Sequence, residues 1–374
     1  MARRVAERFA VITGGGTGGH VVPAIAIGRA LVARGHAPEA VHFVGSQRGI
    51  ESRLVPEAGF SLTMLPGRGL QRRLTAENIP ATAGMGRAVA QATRLLRRER
   101  PRIVISVGGY ASVACAMAAV ALRIPLILHE QNAAPGAANR MVARFARACA
   151  VSFPGTPLPR SRLTGNPVRP EVLAVNRAAG AAEARAALGL PVDRRVVGVF
   201  GGSLGSLRIN RAVLAALPAW APRADLAVHH VVGERDWALV TAEAPPLADG
   251  GLHYQAVRYE DRMPLLYAAA DLFVCRAGGN TVAELAAIGA AAILVPLPGA
   301  PSDHQTANAR VMADAGAATL VRDAELDGAR LQSEVEALLG DADRLGGMSK
   351  AASALGRHDA ADQVAALAEE HARG

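Results

Sequence analysis

The sequence predicts an α/β protein of two doubly wound, Rossmann-like parallel-sheet domains, and three observations carry that prediction. Short runs rich in Val, Ile and Leu recur along the chain, each ending in glycine or a polar residue and each followed by an alanine-rich helical stretch. The runs are continuously apolar rather than alternating, the pattern of parallel strands buried on both faces. The chain has 374 residues, 51% of them hydrophobic and 20% charged. That is enough for two domains of about 150–200 residues, and too apolar for wholesale disorder.

In the first half, strands are predicted at Phe9–Thr13, Val41–Val44, Ile103–Val107, Pro125–His129 and Ala148–Phe153. The basic stretch Met1–Arg8 runs into the first strand and its glycines, leaving too short an apolar segment for a signal core. The longest apolar stretch, Tyr110–Leu128, is mostly alanine and carries Arg123 and Pro125. A bilayer span needs roughly 20 strongly apolar residues, so this stretch reads as a buried helix followed by a strand, and the chain as soluble. Five prolines (154, 157, 159, 167 and 170) crowd the segment Ser152–Pro170. The domain boundary belongs there, with a first domain over 1–166 and a second over 167–356. Strands then resume at Arg195–Phe200, Leu226–Val232, Asp271–Cys275 and Ala292–Pro296. Residues from about 357 to 374 close the chain with a helix, its apolar positions Val364, Leu367 and Ala368 at helical spacing; that helix is expected to join the first domain.

Charge divides the chain at nearly the same place. Residues 1–167 hold 22 arginines against seven acidic residues, a net +15, whereas residues 168–374 hold 19 basic against 25 acidic residues, a net −6. A strongly basic half points to a polyanionic partner: nucleic acid, an anionic membrane or a phosphorylated substrate. Nine arginines fall between Arg68 and Arg102, interleaved with apolar residues. In Gly84–Arg98, Met85, Val89, Ala92 and Leu96 share one helical face while Arg87, Arg94 and Arg98 share another. Such a helix either lies on an anionic membrane surface or packs its apolar face into the core. Aromatic residues make up only 3% of the chain, too few for a base-stacking platform, and no nucleic-acid partner is expected. The three cysteines, Cys115, Cys149 and Cys275, form no C-x-x-C pair, so neither a disulfide framework nor a thiolate zinc site is expected.

Three glycine-rich turns follow predicted strands. The first, Gly14-Gly15-Gly16-Thr17-Gly18-Gly19-His20, matches G-x-G-x-x-G, where glycines let the backbone approach a ligand at a helix N-terminus. A dinucleotide site also calls for an acidic residue at the end of the next strand. That strand runs out through Val44-Gly45-Ser46-Gln47-Arg48, with no carboxylate before Glu51, so a dehydrogenase is disfavoured. The second turn is Gly201-Gly202-Ser203-Leu204-Gly205-Ser206, whose amides and Ser203 hydroxyl either hold a diphosphate or close a plain tight turn. The third, Arg276–Glu284, places Glu284 about one turn into a helix, where a carboxylate either accepts both ribose hydroxyls or faces solvent. His129-Glu130-Gln131-Asn132 closes a strand at the end where open α/β sheets bind ligands. His20 and Glu130 come from different strands of one domain, and a histidine near its ordinary pKa suits a general base at neutral pH. The one D-x-D, Asp341-Ala342-Asp343, lies away from any strand tip, and H-E-x-x-H, G-x-S-x-G and Walker sequences are missing; no metal or other cofactor is expected.

Taken in order, Gly14–His20, Val107-Gly108-Gly109-Tyr110, His129–Asn132, Gly165-Asn166-Pro167-Val168-Arg169, Gly201–Gly205, Arg276–Glu284 and Asp303-His304-Gln305 resemble the MurG family of N-acetylglucosaminyltransferases. The resemblance spans roughly residues 9 to 310 and implies a GT-B fold with an interdomain cleft. It implies inverting transfer of N-acetylglucosamine from UDP-N-acetylglucosamine to the 4-hydroxyl of the muramyl sugar of lipid I, giving lipid II at the cytoplasmic face of the membrane. By this resemblance Glu284 binds the ribose, and Gly279, Asn280, Thr281, Val282 and Ala283 line the nucleotide pocket. Ser203 and Arg169 contact the diphosphate and Gln305 the sugar hydroxyls. Thr17, Gly18, Gly19 and Asn132 approach the donor sugar, while Gly16, Gly108, Gly109 and Tyr110 neighbour the acceptor's diphosphate. His20 is the first choice of base, with Glu130 orienting it or acting itself. One departure stands out: Tyr259-Glu260-Asp261-Arg262-Met263 places Glu260 where the family usually has an apolar residue. Other GT-B enzymes acting on nucleotide sugars, a diacylglycerol glycosyltransferase or a sugar 2-epimerase, are the alternatives, and a nucleotide- or nucleic-acid-binding regulator using the basic first half is the non-enzymatic one.

Overall fold

The structure, a computed structural model, describes residues 8–47, 49–66, 78–202 and 204–374. The chain divides into two compact units, one comprising residues up to Arg169 together with Arg357–Gly374, the other Pro170–Gly356. Pro167, Val168 and Arg169 therefore count with the first unit.

The first unit is built on a sheet of seven parallel strands: β1 (Ala10–Thr13), β2 (Val41–Ser46), β3 (Ser61–Leu65), β4 (Ile103–Ser106), β5 (Leu126–Glu130), β6 (Ala148–Val151) and β7 (Ser161–Leu163). Their order across the sheet is β3-β2-β1-β4-β5-β6-β7. The second unit carries β8 (Arg195–Phe200), β9 (Leu226–Val231), β10 (His253–Val257), β11 (Leu272–Cys275), β12 (Ala292–Leu294) and β13 (Ala318–Leu320), ordered β10-β9-β8-β11-β12-β13 and again parallel. Each sheet thus reverses its strand order once, between β1 and β4 in the first unit and between β8 and β11 in the second. Thr13 stands beside Ser106 at the first reversal and Phe200 beside Cys275 at the second.

Nine of the thirteen strands coincide with the runs expected from sequence, within a residue or two at their ends. The four that the apolar pattern misses, β3, β7, β10 and β13, are the four sheet edges. An edge strand is covered less completely and carries polar residues, so it lacks a continuous apolar run. All three β7 residues are exposed, and β10 is only half-buried throughout. The proline-rich segment 152–170 is accordingly more than a linker, because β7 lies within it and pairs with β6.

The Tyr110–Leu128 stretch is a helix, Tyr110–Ala121, followed by β5. Among the described residues no helix is long and apolar enough to cross a membrane. The closing helix Ala360–His371 returns to the first unit, where Val364, Ala365, Leu367 and Ala368 join the core against the helix Gly18–Ala33 and strands β4, β5 and β6. Arg34 ties it down through Glu369 and Asp362 at 2.7 and 2.8 Å.

The arginine-rich helix Asn78–Glu99 settles the alternative left open by its sequence. Ala88, Ala92, Leu95 and Leu96 are buried and Met85 and Val89 pack against the same core cluster, so its apolar face belongs to the fold rather than to a lipid surface. Arg87, Arg94, Arg97 and Arg98 remain exposed. Arg68, Arg72 and Arg73 lie outside the described residues.

Candidate active site

In an open parallel sheet, ligands bind beyond the carboxyl ends of the strands, at the point where strand order reverses. The loops leaving β1 and β4 are Gly14–Thr17 and Val107–Gly109, and those leaving β8 and β11 are Gly201–Ser206 and Arg276–Gly278. Topology alone therefore brings the glycine-rich motifs to the two reversal points, two motifs to each unit.

In the first unit Thr17 is the exposed N-cap of the helix Gly18–Ala33. Its carbonyl accepts from the amides of His20 and Val21 at 3.1 and 3.2 Å, and its Oγ1 lies 3.5 Å from His20 Nδ1. His20 is half-buried, and its ring stands over Gly108. Gly108 and Gly109 have φ of +97° and +92°, a region that disfavours any side chain, and a Cβ on Gly109 would meet the carbonyl of Gly15. Backbone packs directly on backbone here, which draws Gly15, Gly16, Thr17, Gly18, Gly19 and His20 together with Gly108, Gly109 and Tyr110. The Gly16 amide donates to Glu51 Oε2 at 3.0 Å, so that donor is already engaged inside the protein.

The His129–Asn132 segment differs from expectation. Rather than four polar side chains facing a ligand, His129, Glu130 and Gln131 are buried and knit the surrounding loops together. Glu130, only 1% exposed, accepts from the amide and Nδ2 of Asn132 through Oε1, and from the amide of Gly136 and Nδ2 of Asn139 through Oε2, all at 2.9–3.1 Å. Four donors already fill the carboxylate, which suits a loop organiser better than a base. His129 Nδ1 pairs with Gln131 Nε2 at 3.1 Å, Nε2 faces the Gly165 carbonyl at 3.3 Å, and burial lowers its pKa to about 4. It is neutral at physiological pH.

In the second unit, Ser206 caps the helix Leu207–Trp220 after the Gly201–Gly205 turn, its hydroxyl accepting from Ile209. Ser203 lies outside the described residues. Gly278 caps the helix Gly279–Ala287, which carries Asn280, Thr281, Val282, Ala283 and Glu284. Glu284 is buried, and the Tyr267 hydroxyl donates to its Oε2 at 2.7 Å. Tyr267 is itself fixed among Phe200 and Phe273. Gln305 Oε1 accepts from the amides of Ala277 and Leu297 at 3.2 and 2.9 Å, joining two loops. Arg169 stands at the end of the first unit's main segment, just before Pro170. Sequence reasoning passed over Tyr267 and Glu51, because neither sits in a glycine turn or at a strand end.

Glu260 is buried, with its carboxylate accepting from the Arg262 amide at 2.8 Å and lying 3.1 Å from His229 Nε2. The departure from the family's apolar residue is thus accommodated by a buried polar partner. Among the described residues no group of three His, Cys, Asp or Glu side chains is arranged to hold a metal ion.

A model of the glycosyltransferase family 28 N-terminal domain matches residues 10–151, and one of the family's C-terminal domain matches residues 196–364. The UDP-N-acetylglucosamine--N-acetylmuramyl-(pentapeptide) pyrophosphoryl-undecaprenol N-acetylglucosamine transferase of Acidothermus cellulolyticus is 42% identical over 362 residues, covering 97% of each chain. This chain belongs to the MurG family. The identically named protein of Streptomyces coelicolor is 39% identical over 96% of this chain and 97% of its own. Among solved structures, Acinetobacter baumannii MurG superposes with a TM-score of 0.78 at 28% identity, covering 97% of this chain and 99% of that one. The UDP-GlcNAc 2-epimerase from Neisseria meningitidis, bound to UDP-GlcNAc, reaches a TM-score of 0.68 over 97% of this chain and 100% of its own. At 12% identity that likeness shows the shared GT-B fold alone.

Proposed function

We propose that the chain transfers N-acetylglucosamine from UDP-N-acetylglucosamine to the muramyl 4-hydroxyl of lipid I, forming lipid II in peptidoglycan synthesis. The observation that carries this is 42% identity, end to end, with a transferase named for that reaction. The glycine motifs at both sheet reversals support it, since each half of such a reaction needs its own ligand-binding edge.

In this reading the second unit holds the donor. Glu284, braced by Tyr267, accepts the ribose hydroxyls. The backbone of Gly279–Ala283 lines the base and ribose, Ser203 addresses the diphosphate together with Arg169, the last residue of the first unit's main segment, and Gln305 donates to the sugar. The first unit supplies Thr17, Gly18, Gly19 and Asn132 to the transferred sugar, and the Gly108–Tyr110 loop to the acceptor. His20 removes the proton of the acceptor hydroxyl as its oxygen attacks the anomeric carbon. The bond from that carbon to the UDP oxygen breaks, its electron pair leaves with UDP, and configuration inverts. General-base assistance is worth roughly 10²–10⁴-fold. Release of UDP from UDP-N-acetylglucosamine, measured with and without a short-chain lipid I analogue, tests the assignment. Acceptor-dependent release is expected, and acceptor-independent release or none at all argues against it.

The acceptor is membrane-anchored, and the first unit offers a surface for an anionic bilayer. Met117, Met141 and Phe145 are 47%, 57% and 48% exposed on the helix Tyr110–Ala121 and the segment Ala137–Phe145. Arg140 and Arg144 are exposed beside the latter two, and Arg144 stacks over Phe145 at 4.6 Å. The exposed arginines of the helix Asn78–Glu99, which packs against Tyr110–Ala121, extend the charge. Each such residue near an anionic surface contributes about 1 kcal/mol. Met141→Ser with Phe145→Ser is expected to weaken binding to anionic vesicles without altering UDP binding; equal binding by the variant and the parent contradicts this surface.

A further inference from the structure

Glu51 begins the short helix Glu51–Glu57 that follows β2, outside the glycine-rich turns. It is 1% exposed, yet it bears a carboxylate. Oε1 accepts from the amide and the hydroxyl of Ser46 at 2.8 and 2.9 Å, and Oε2 accepts from the Gly16 amide at 3.0 Å. The side chain lies in a cradle that only glycine permits: a Cβ on Gly15, Gly45 or Gly49 would collide with it. A buried carboxylate is costly unless charge-assisted hydrogen bonds compensate, and these three donors supply them.

The position of the carboxylate has a chemical meaning. In a G-x-G-x-x-G turn the amides are the seat of a ligand's phosphate. Here Glu51 puts a carboxylate oxygen on one of those amides, so the protein carries its own anion at that point of the turn. Gly16 has a φ of +96° and directly precedes Thr17, the cap of the helix that bears His20. On the opposite side the turn rests on the backbone of Gly109. The loop is thereby held from two sides, by a charge on one and by close backbone packing on the other.

We propose that Glu51 is a positioning residue for the transfer reaction: it acts as an internal anion that fixes the first glycine turn, and through Gly16 and Thr17 sets the place of His20. This rests on the reading of His20 as the base. It assigns the main loss from removing Glu51 to turnover and not to the binding of UDP, which belongs to the second unit. A base displaced by about 1 Å forfeits on the order of 10²-fold in rate.

The test compares Glu51→Gln, His20→Ala and the double variant, with Ser46→Ala as a milder probe of the same carboxylate. Measurements are kcat, the KM for UDP-N-acetylglucosamine, UDP affinity by calorimetry, thermal melting, and hydrogen exchange of amides 16–20. Glu51→Gln is expected to lower kcat about 10- to 100-fold, leave donor KM and UDP affinity within about twofold, and speed exchange in residues 16–20. The double variant is expected to be no slower than His20→Ala alone, because both act through one group. Wild-type kcat in Glu51→Gln, or losses that multiply in the double variant, overturn the proposal. If Glu51→Gln does not fold, Ser46→Ala decides: a drop in kcat of about 2- to 5-fold at constant donor KM supports the positioning role, and unchanged kcat overturns it. Full activity in His20→Ala overturns the choice of base and, with it, the route from Glu51 to His20; a slow Glu51→Gln beside it shows that loop fixation itself stands.

Discussion

His20 and Gly108 are pressed together: a Cβ on Gly108 would stand 2.9 Å from His20 Cδ2 and 3.0 Å from Nε2. The absence of a side chain at 108 is therefore what lets the imidazole occupy its place beside the loop leaving β4. Gly108→Ala both strains a backbone at φ +97° and displaces the ring. The expected result is a fall in kcat of about 10- to 100-fold with donor KM nearly unchanged, read by steady-state kinetics.

Tyr267 and Glu284 make the equivalent pair in the second unit, joined by the 2.7 Å hydrogen bond from the hydroxyl. Tyr267→Phe removes that donor while the ring stays clamped by Phe200 and Phe273. Donor KM is expected to rise roughly 5- to 30-fold, the loss of one hydrogen bond to a charged group, with kcat within about twofold. The penalty should shrink for 2′-deoxyuridine diphosphate measured by calorimetry, since Glu284 then has one hydroxyl fewer to hold. An equal penalty for both ligands would show that Tyr267 acts on the fold and not on the ribose.

Glu130 is expected to behave as a stability residue. Replacing it with Ala removes the carboxylate that the Asn132 and Gly136 amides share, and one of the two acceptors of the Asn139 side chain, which keeps its bond to the His129 carbonyl. The expected loss is about 3–5 kcal/mol, measured by chemical denaturation. Undiminished stability together with lost turnover would return Glu130 to the acid–base chemistry.

Acid should destabilise the protein before its carboxylates titrate. Burial lowers the pKa of His42 and His129 to about 4 and that of His230 to about 3. An unfolded histidine binds its proton near pH 6.5, so between there and pH 4 the unfolded chain holds more protons and stability rises with pH. The stability present above pH 6.5 is lost as pH falls towards the folded values, by about 1.4 kcal/mol per unit for each histidine well below 6.5. Melting temperatures that fall steadily from pH 6.5 to 5 are the expected outcome. A flat profile would mean that these rings are protonated in the folded state.

The legible part of the fold was its interior. Strands buried on both faces write continuous apolar runs, and all nine inner strands showed them, whereas Ser61–Leu65, Ser161–Leu163, His253–Val257 and Ala318–Leu320 stand at sheet edges and did not. The candidate site was legible where backbone geometry demands glycine, as in Gly14–Gly19, Gly108–Gly109 and Gly201–Gly205. It was illegible where one side chain acts across the fold. Glu51 lies 35 residues from the amide it engages, and Tyr267 lies 17 from its carboxylate. The residue types in His129–Gln131 were plain, but their burial and the hydrogen bonds by which they support the neighbouring loops depend on packing that no local pattern records. The helix Asn78–Glu99 makes the same point, since its periodicity fits a core face and a lipid face equally well.

The most direct measurement is the identity of the product formed from UDP-N-acetylglucosamine and a short-chain lipid I analogue. Mass spectrometry and anomeric proton couplings should show one added N-acetylglucosamine, β-linked to the muramyl 4-oxygen, with one UDP released for each sugar transferred. A sugar found at another position or in the α configuration, or UDP released without a glycosylated acceptor, would contradict the account.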